Sequence, residues 1–249
     1  MIPESRLLQP WLPWSDRATD LPVVYCLPYA GGSAQVYRSW IEPGRAHGVE
    51  FMPVELPGHG TRWREEPIDN IDEIVHAVCQ EVIAPARGPY AIFGHSLGGA
   101  IAFEIAVTMP VISEGPEHLF LSGVRPPSAP AGRSMHQLSD DRLAKAVHEL
   151  GGTPAVVSGN LEIMSFLLPL IRNDMRIAET WRPSRGRIIS CPVSVFSAFS
   201  DMVASPQTMN AWADVTSGKF RHTTLPGGHF YLHEHRDTLL CGMSAALQR

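Results

Sequence analysis

Three stretches of this chain carry side chains suited to nucleophilic catalysis. In Phe93-Gly94-His95-Ser96-Leu97-Gly98-Gly99 a serine sits between glycines in a G-x-S-x-G pattern. Tyr90-Ala91-Ile92-Phe93 before it reads as a short apolar strand, and residues 100–106 read as a helix with no breaker before Pro110, so the serine falls on a strand-to-helix turn. Such a turn holds its serine in a strained backbone conformation, and the glycines leave room for main chain that a Cβ would crowd. A serine hydroxyl is a weak nucleophile at neutral pH until a base removes its proton, and a buried acid must hold that base in one tautomer. Ser96 therefore requires a histidine and a carboxylate from elsewhere in the sequence.

Of the eleven histidines, His229 is singled out by position. Residues 220–225 alternate like a strand and run into Pro226-Gly227-Gly228-His229-Phe230, a loop from which an imidazole can reach the tips of central strands. The acid is expected at Asp201, just after the strand-like run Cys191-Pro192-Val193-Ser194-Val195-Phe196-Ser197-Ala198-Phe199, with Asp214 and Asp237 as competitors. Nucleophile, acid and histidine in this chain order are the order of the α/β hydrolases. The chemistry further needs amides aimed at the developing oxyanion. Leu97, directly after the nucleophile, supplies one; the loop Tyr29-Ala30-Gly31-Gly32-Ser33-Ala34 after an early apolar strand at 21–28 supplies the other, from Ala30 first and Tyr29 next. His95 is expected to point away from Ser96 and to pack or support.

The elements that must position these groups alternate along the chain. Strand-like runs at 21–28, 49–56, 90–93, 118–124, 191–199 and 220–225 are separated by helical stretches such as 70–83, which predicts one α/β domain over 1–249 with a mostly parallel sheet covered on both faces. The alternation breaks at 126–187, where Pro126, Pro127 and Pro130 open a helical insertion with a helix start at Ser139 and one or two helices over 161–179, interrupted at Pro169. This insertion is expected to be a lid. Its apolar residues, Met164, Phe166 and Trp181 among them, line a substrate chamber or simply pack the lid down, and Tyr29 and Phe230 are the expected substrate contacts from the body.

Composition is that of a globular protein: 249 residues, 44% hydrophobic, 18% charged, net charge −5. That balance gives no reason to expect nucleic acid as a partner. Cys26, Cys79, Cys191 and Cys241 are dispersed, without the close pairs of zinc or redox sites, and imply reduced thiols and a cytoplasmic setting. No signal peptide and no apolar run long enough for a membrane span is expected.

The chain resembles the type II thioesterases that accompany polyketide synthases and non-ribosomal peptide synthetases, relatives of the medium-chain thioesterases of fatty acid synthesis. The matching blocks are Leu27-Pro28-Tyr29-Ala30-Gly31-Gly32-Ser33-Ala34, Glu55-Leu56-Pro57-Gly58-His59-Gly60-Thr61-Arg62, Gly94-His95-Ser96-Leu97-Gly98-Gly99, Leu121-Ser122-Gly123, Gly151-Gly152-Thr153-Pro154, Arg172-Asn173-Asp174 and Leu225-Pro226-Gly227-Gly228-His229-Phe230. The resemblance implies Ser96, Asp201 and His229 as the triad, and the amides of Ala30 and Leu97 as oxyanion donors. It also implies acyl groups on the phosphopantetheine arm of acyl or peptidyl carrier proteins as substrate, a monomeric enzyme, and no bound cofactor or metal. Two positions depart from the pattern: Leu97 stands where methionine is frequent, and Trp181 where a lid tyrosine is common. Other readings are a medium-chain fatty acyl thioesterase, a product-releasing thioesterase or cyclase, a carboxylesterase, or an inert hydrolase-fold binding protein.

Overall fold

The computed structural model describes residues 10–14, 20–86, 88–129, 134–152, 160–183 and 186–248. Pro130, Thr153, Pro154 and most of the first twenty residues lie outside these. Six strands form one sheet in the order β2-β1-β3-β4-β5-β6. They are β1 (Val23–Leu27), β2 (Glu50–Pro53), β3 (Tyr90–His95), β4 (His118–Ser122), β5 (Val193–Ala198) and β6 (Phe220–Leu225), and every neighbouring pair is parallel. A parallel sheet covered on both faces calls for continuous apolar strands, and β1 to β5 are buried throughout. Only β6, on an edge, is not buried throughout: Arg221 is exposed and His222, Thr223 and Thr224 are half-buried, a polar edge that discourages pairing with other chains.

Helices cover the two faces. On one lie α2 (Ile71–Val78), which continues through a π turn to Ile83, and α3 (Leu97–Ile112). Asn70 starts α2 by accepting the Asp72 amide at 2.8 Å. Along α3, buried residues occur on every side, because it is sandwiched between the sheet, α2 and the segment that follows β4. Pro110 sits within its last turn and does not end it. The other face is covered by a 3-10 helix (Ala34–Trp40), α1 (Ile41–Ala46) and the C-terminal helix α7 (Arg236–Leu247), which bury Tyr37, Trp40, Leu239, Leu240 and Met243 against Phe51, Phe93 and Phe196. Burying each such side chain contributes about 1.5–3 kcal/mol.

Between β4 and β5 lie α4 (Asp140–Leu150) and α5 (Leu161–Thr180), which with Met135 build a separate apolar cluster of Leu143, Val147, Met164, Leu168 and Ile171. The proline in α5 does not divide it. The helix runs its full twenty residues through Pro169, started by Asn160, whose side chain accepts the amides of Glu162 and Ile163. A short helix α6 (Pro206–Met209) and a 3-10 turn (Asn210–Val215) then lead to β6.

At the start of β4, His118 stacks on Phe120 and shares a 2.9 Å hydrogen bond with Ser194. Burial, with Arg221 nearby, pushes its pKa down from 6.5 to about 4. The unfolded chain therefore takes up a proton that the folded one refuses, so stability falls as pH drops from about 6.5 toward 4, by on the order of 3 kcal/mol from this residue. Urea denaturation across that range is expected to show His118→Gln losing less stability than the parent chain; parallel curves would mean that His118 is not held neutral.

Candidate active site

From β1 the chain goes to β2 on one side and then crosses back to β3 on the other side of β1, so the sheet order reverses between β1 and β3. In open parallel sheets a crevice forms at this reversal, beyond the carboxyl ends of the strands. Ala30 follows β1 and Ser96 follows β3, one on each side of it.

Ser96 has φ 54° and ψ −116°, and among the described residues no other non-glycine has positive φ. The turn is that sharp because the glycines permit it. A Cβ on Gly94 would lie 2.0 Å from the Gly98 carbonyl oxygen, and one on Gly98 would lie 2.1 Å from that of Leu27. The Ser96 amide donates to the Ser122 carbonyl at 2.8 Å, pinning the turn to β4. Leu97 opens α3, so its amide has no carbonyl one turn back, and neither it nor the Ala30 amide donates to a protein acceptor among the described residues.

Asp201 and His229 meet from the ends of β5 and β6. His229 Nδ1 lies 2.9 Å from Asp201 Oδ2, both side chains being buried. The other carboxylate oxygen accepts the amides of Val203 (2.7 Å) and Ala204 (3.1 Å), so the carboxylate cannot rotate away. A carboxylate only accepts, so Nδ1 carries the hydrogen, and in the neutral ring that tautomer places the lone pair on Nε2. The Ser200 amide donates to the Gly227 carbonyl at 3.0 Å and ties the two loops together. Asp214 is exposed and Asp237 pairs with Arg236 at the surface; neither reaches His229.

Ser96, His229, Tyr29 and Ala30 line one cavity of about 150 Å³, closed on the insertion side by Met135, Leu150, Met175 and Trp181. A wider opening of about 530 Å³ adjoins it, lined by the loop after β1, α4 and α5, and shares Tyr29, Ala30, Leu150, Met175 and Phe230 with the cavity. Tyr29 contacts the Phe230 ring edge-on, and its hydroxyl donates to the Gly152 carbonyl at 3.3 Å. Two expected chamber residues are elsewhere. Met164 is buried inside the cluster formed by α4 and α5, and Phe166 is 65% exposed with its ring against Trp63; neither lines the cavity. On a helix packed against a smaller helix, apolar residues face their own layer as readily as the chamber, and spacing alone does not separate the two.

Behind His229 lies His95, fully buried, with ring centroids 4.8 Å apart. Its Nδ1 shares a 2.8 Å hydrogen bond with Ser122 Oγ, which in turn bonds the Tyr231 hydroxyl at 2.6 Å. Burial, with His229 and His233 close by, holds the His95 imidazole well below its ordinary pKa, so the ring is neutral. Tyr231, Val203 and Met202 carried no pattern that marked them beforehand; they reach the site because they flank Asp201 and His229 on their loops. Among the described residues no cluster of three or more His, Cys, Asp or Glu is placed to hold a metal ion, and no helix is long and apolar enough to cross a membrane.

The thioesterase domain family matches residues 22–247. The chain belongs to that family. Gramicidin S biosynthesis protein GrsT of Aneurinibacillus migulanus is 34% identical over 213 residues, spanning 85% of this chain and 83% of that one. The medium-chain S-acyl fatty acid synthase thioesterase of Homo sapiens is 34% identical over 220 residues, 83% of this chain and 79% of that one. Among solved structures, the type II thioesterase BorB from the borrelidin biosynthetic cluster superposes with a TM-score of 0.83 at 36% identity, covering 92% of this chain and 94% of its own. This thioesterase thus has the α/β-hydrolase fold, with its cavity at the carboxyl edge of the sheet.

Replacing Ser96 by glycine removes the penalty for positive φ, on the order of 1–3 kcal/mol, at a backbone-entropy cost of about 0.5–1 kcal/mol. Since the Ser96 side chain makes no capping bond to α3, Ser96→Gly is expected to raise Tm by roughly 2–6 °C while abolishing labelling by a serine-directed fluorophosphonate. Calorimetry checks it; a lowered Tm would mean the turn stores no strain.

Proposed function

We propose that this protein is a type II, editing thioesterase that frees acyl groups from the phosphopantetheine arm of carrier proteins in polyketide or non-ribosomal peptide synthesis. One observation carries the catalytic part: a serine on a strained turn and an imidazole fixed by a buried carboxylate open into the same small cavity. The carrier-directed part is supported by the relatives, which include the type II thioesterase of the borrelidin biosynthetic cluster and ClbQ from the colibactin NRPS/PKS pathway.

In this reading His229 Nε2 takes the proton of Ser96 as its hydroxyl attacks the thioester carbonyl, and the amides of Ala30 and Leu97 receive the oxyanion. Collapse of the tetrahedral intermediate breaks the carbon–sulfur bond, and the thiol leaves with the proton held by His229. Water then attacks the acyl-serine, giving its proton to His229, and the second collapse returns that proton to Ser96 and releases the acid. Asp201 keeps Nδ1–H in place and stabilises the imidazolium of each step without itself being protonated.

Residues 126–187 act as a lid within a single domain. The cavity beside Ser96 is an order of magnitude above the ~10–15 Å³ that one water needs and below the ~300–1,000 Å³ of pockets for drug-sized ligands, which favours short acyl groups. Tyr29, Trp181 and Phe230 form its walls. The enzyme works as a monomer in the cytoplasm; its four free thiols fit a reducing compartment.

Mass spectrometry of a panel of acylated carrier proteins tests this. Short-chain acyl carriers are expected to be hydrolysed well ahead of matched oxygen esters; equal turnover of the two would defeat the carrier-directed reading, and preference for medium chains would favour the fatty-acyl one. Ser96→Ala is expected to abolish hydrolysis with the fold kept, and Asp201→Asn to lower kcat by roughly 10²- to 10⁴-fold. Full activity in the asparagine variant would mean that another carboxylate orients His229.

A further inference from the structure

The Ala30 amide is only as well placed as the loop that carries it, and that loop is held by two buried carboxylates. Glu55 accepts the Ala34 amide at 2.9 Å and the Thr61 amide at 3.1 Å. Asp174, on α5 and 2% exposed, accepts the Gly31 amide at 2.7 Å on Oδ2. The same oxygen lies 2.8 Å from His59 Nε2, while His59 Nδ1 lies 2.9 Å from the Pro57 carbonyl. Both nitrogens of this 4% exposed ring face acceptors, so both carry hydrogen and His59 is an imidazolium paired with Asp174. Burial opposes that charge, but the hydrogen bond and charge of Asp174, the Pro57 carbonyl and the nearby Glu55 outweigh it and raise the pKa.

Two details separate this contact from simple packing of the insertion. The neighbours of Asp174 already fasten α5 elsewhere: Arg172 donates to the carbonyls of His136 and Leu138, and Asn173 donates to that of Ile68. Gly31 in turn has φ +71°, and a Cβ there would lie 2.6 Å from Ile171 Cγ1, so glycine is what lets the loop approach α5 closely enough to reach Asp174.

We infer that Asp174, oriented by His59, is a positioning residue for hydrolysis, its bond to the Gly31 amide setting the preceding Ala30 amide where the oxyanion forms. This rests on the oxyanion role proposed for Ala30. The carboxylate suits the task because a hydrogen bond to an ionised acceptor is shorter and about twice as strong as a neutral one, and the imidazolium leaves the buried pair without net charge.

The test uses the full chain, an acyl carrier thioester, and a trifluoromethyl ketone analogue that forms a tetrahedral adduct with the serine. Deleting one oxyanion donor costs about 10²- to 10³-fold in kcat; Asp174→Ala displaces a donor and is expected to cost roughly ten- to a hundredfold in kcat, with KM within about twofold and analogue affinity falling in step with kcat. Asp174→Asn, which retains an oxygen for the Gly31 amide, is expected to recover most of kcat. Ala30→Pro, which removes the amide itself, separates the two layers of the argument. A folded Asp174→Ala enzyme with unchanged kcat, beside an inactive Ala30→Pro, overturns the role of Asp174 and leaves that of Ala30 standing. An Ala30→Pro enzyme as active as the parent overturns both. A loss confined to KM, with analogue binding intact, marks a structural role and also overturns the inference. Should Asp174→Ala not fold, His59→Gln decides: kcat roughly three- to tenfold lower at constant KM supports it, and parental kcat overturns it.

Discussion

A serine held at φ 54° stores on the order of 1–3 kcal/mol, and the surroundings of Ser96 are arranged so that no relaxed alternative is open. β1 and β3 pair with Leu27 beside Gly94, which brings the Leu27 carbonyl against Gly98, two residues beyond the serine. On the other flank the Ser122 carbonyl takes the Ser96 amide, and Gly99 lies so close to Val124 that a Cβ there would clash at 2.6 Å. The strand cannot continue and the helix cannot start earlier. Side chain and Leu97 amide are therefore both delivered to the crevice where the sheet order reverses, beside the loop after β1.

Two buried carboxylate–imidazole pairs flank this turn, and what each ring faces on its second nitrogen separates their uses. His59 is closed on both sides, by Asp174 and by the Pro57 carbonyl, so it is a fixed charge with no proton to exchange. His229 has Asp201 on one nitrogen, and its side chain lines the Ser96 cavity, which is the opening that the proposed role as base requires. Burying an unpaired charge is costly, and each ring has its carboxylate. His95, buried between His229 and Ser122 with no carboxylate partner, stays neutral instead.

The six strands and the position of Ser96 were legible because a covered parallel sheet demands unbroken apolar runs and a strand-turn-helix demands its glycines. The loops bearing Asp201 and His229 could be located because each follows such a run. Strand ends were read one to three residues too long at Val49, Leu56 and Val124, where buried apolar side chains continue past the last ladder bond. The C-terminal helix α7 was not anticipated, although Leu239, Leu240 and Met243 have helical spacing, because Gly242 interrupts the pattern. Met164 and Phe166 were misplaced for a tertiary reason: which face of α5 meets the cavity is decided by α4 and the body, not by α5. The partnership of His59, Asp174 and Gly31 was invisible in sequence, since its members are 28 to 143 positions apart and only the fold makes them neighbours.

The insertion is joined to the body by polar bonds spread along one helix, from Asn173 and Arg176, which reach Ile68 and Asp69, to two more deeply set contacts. Near its middle, Asp174 of α5 holds Gly31 and His59. Just past its end, the buried Trp181 donates from Nε1 to Glu104 of α3 at 2.7 Å, a carboxylate whose pKa burial raises. Lifting α5 away would break these bonds together with those from Asn173 and Arg176, each contributing about 0.5–1.5 kcal/mol net. The wider opening between the loop after β1, α4 and α5 requires no such disruption, and it already reaches Tyr29, Ala30 and Phe230 at the cavity wall. The contacts that fix the loop after β1 are thus the same ones that keep the cavity small, so the depth of the cavity and the placement of the Ala30 amide are set by one helix.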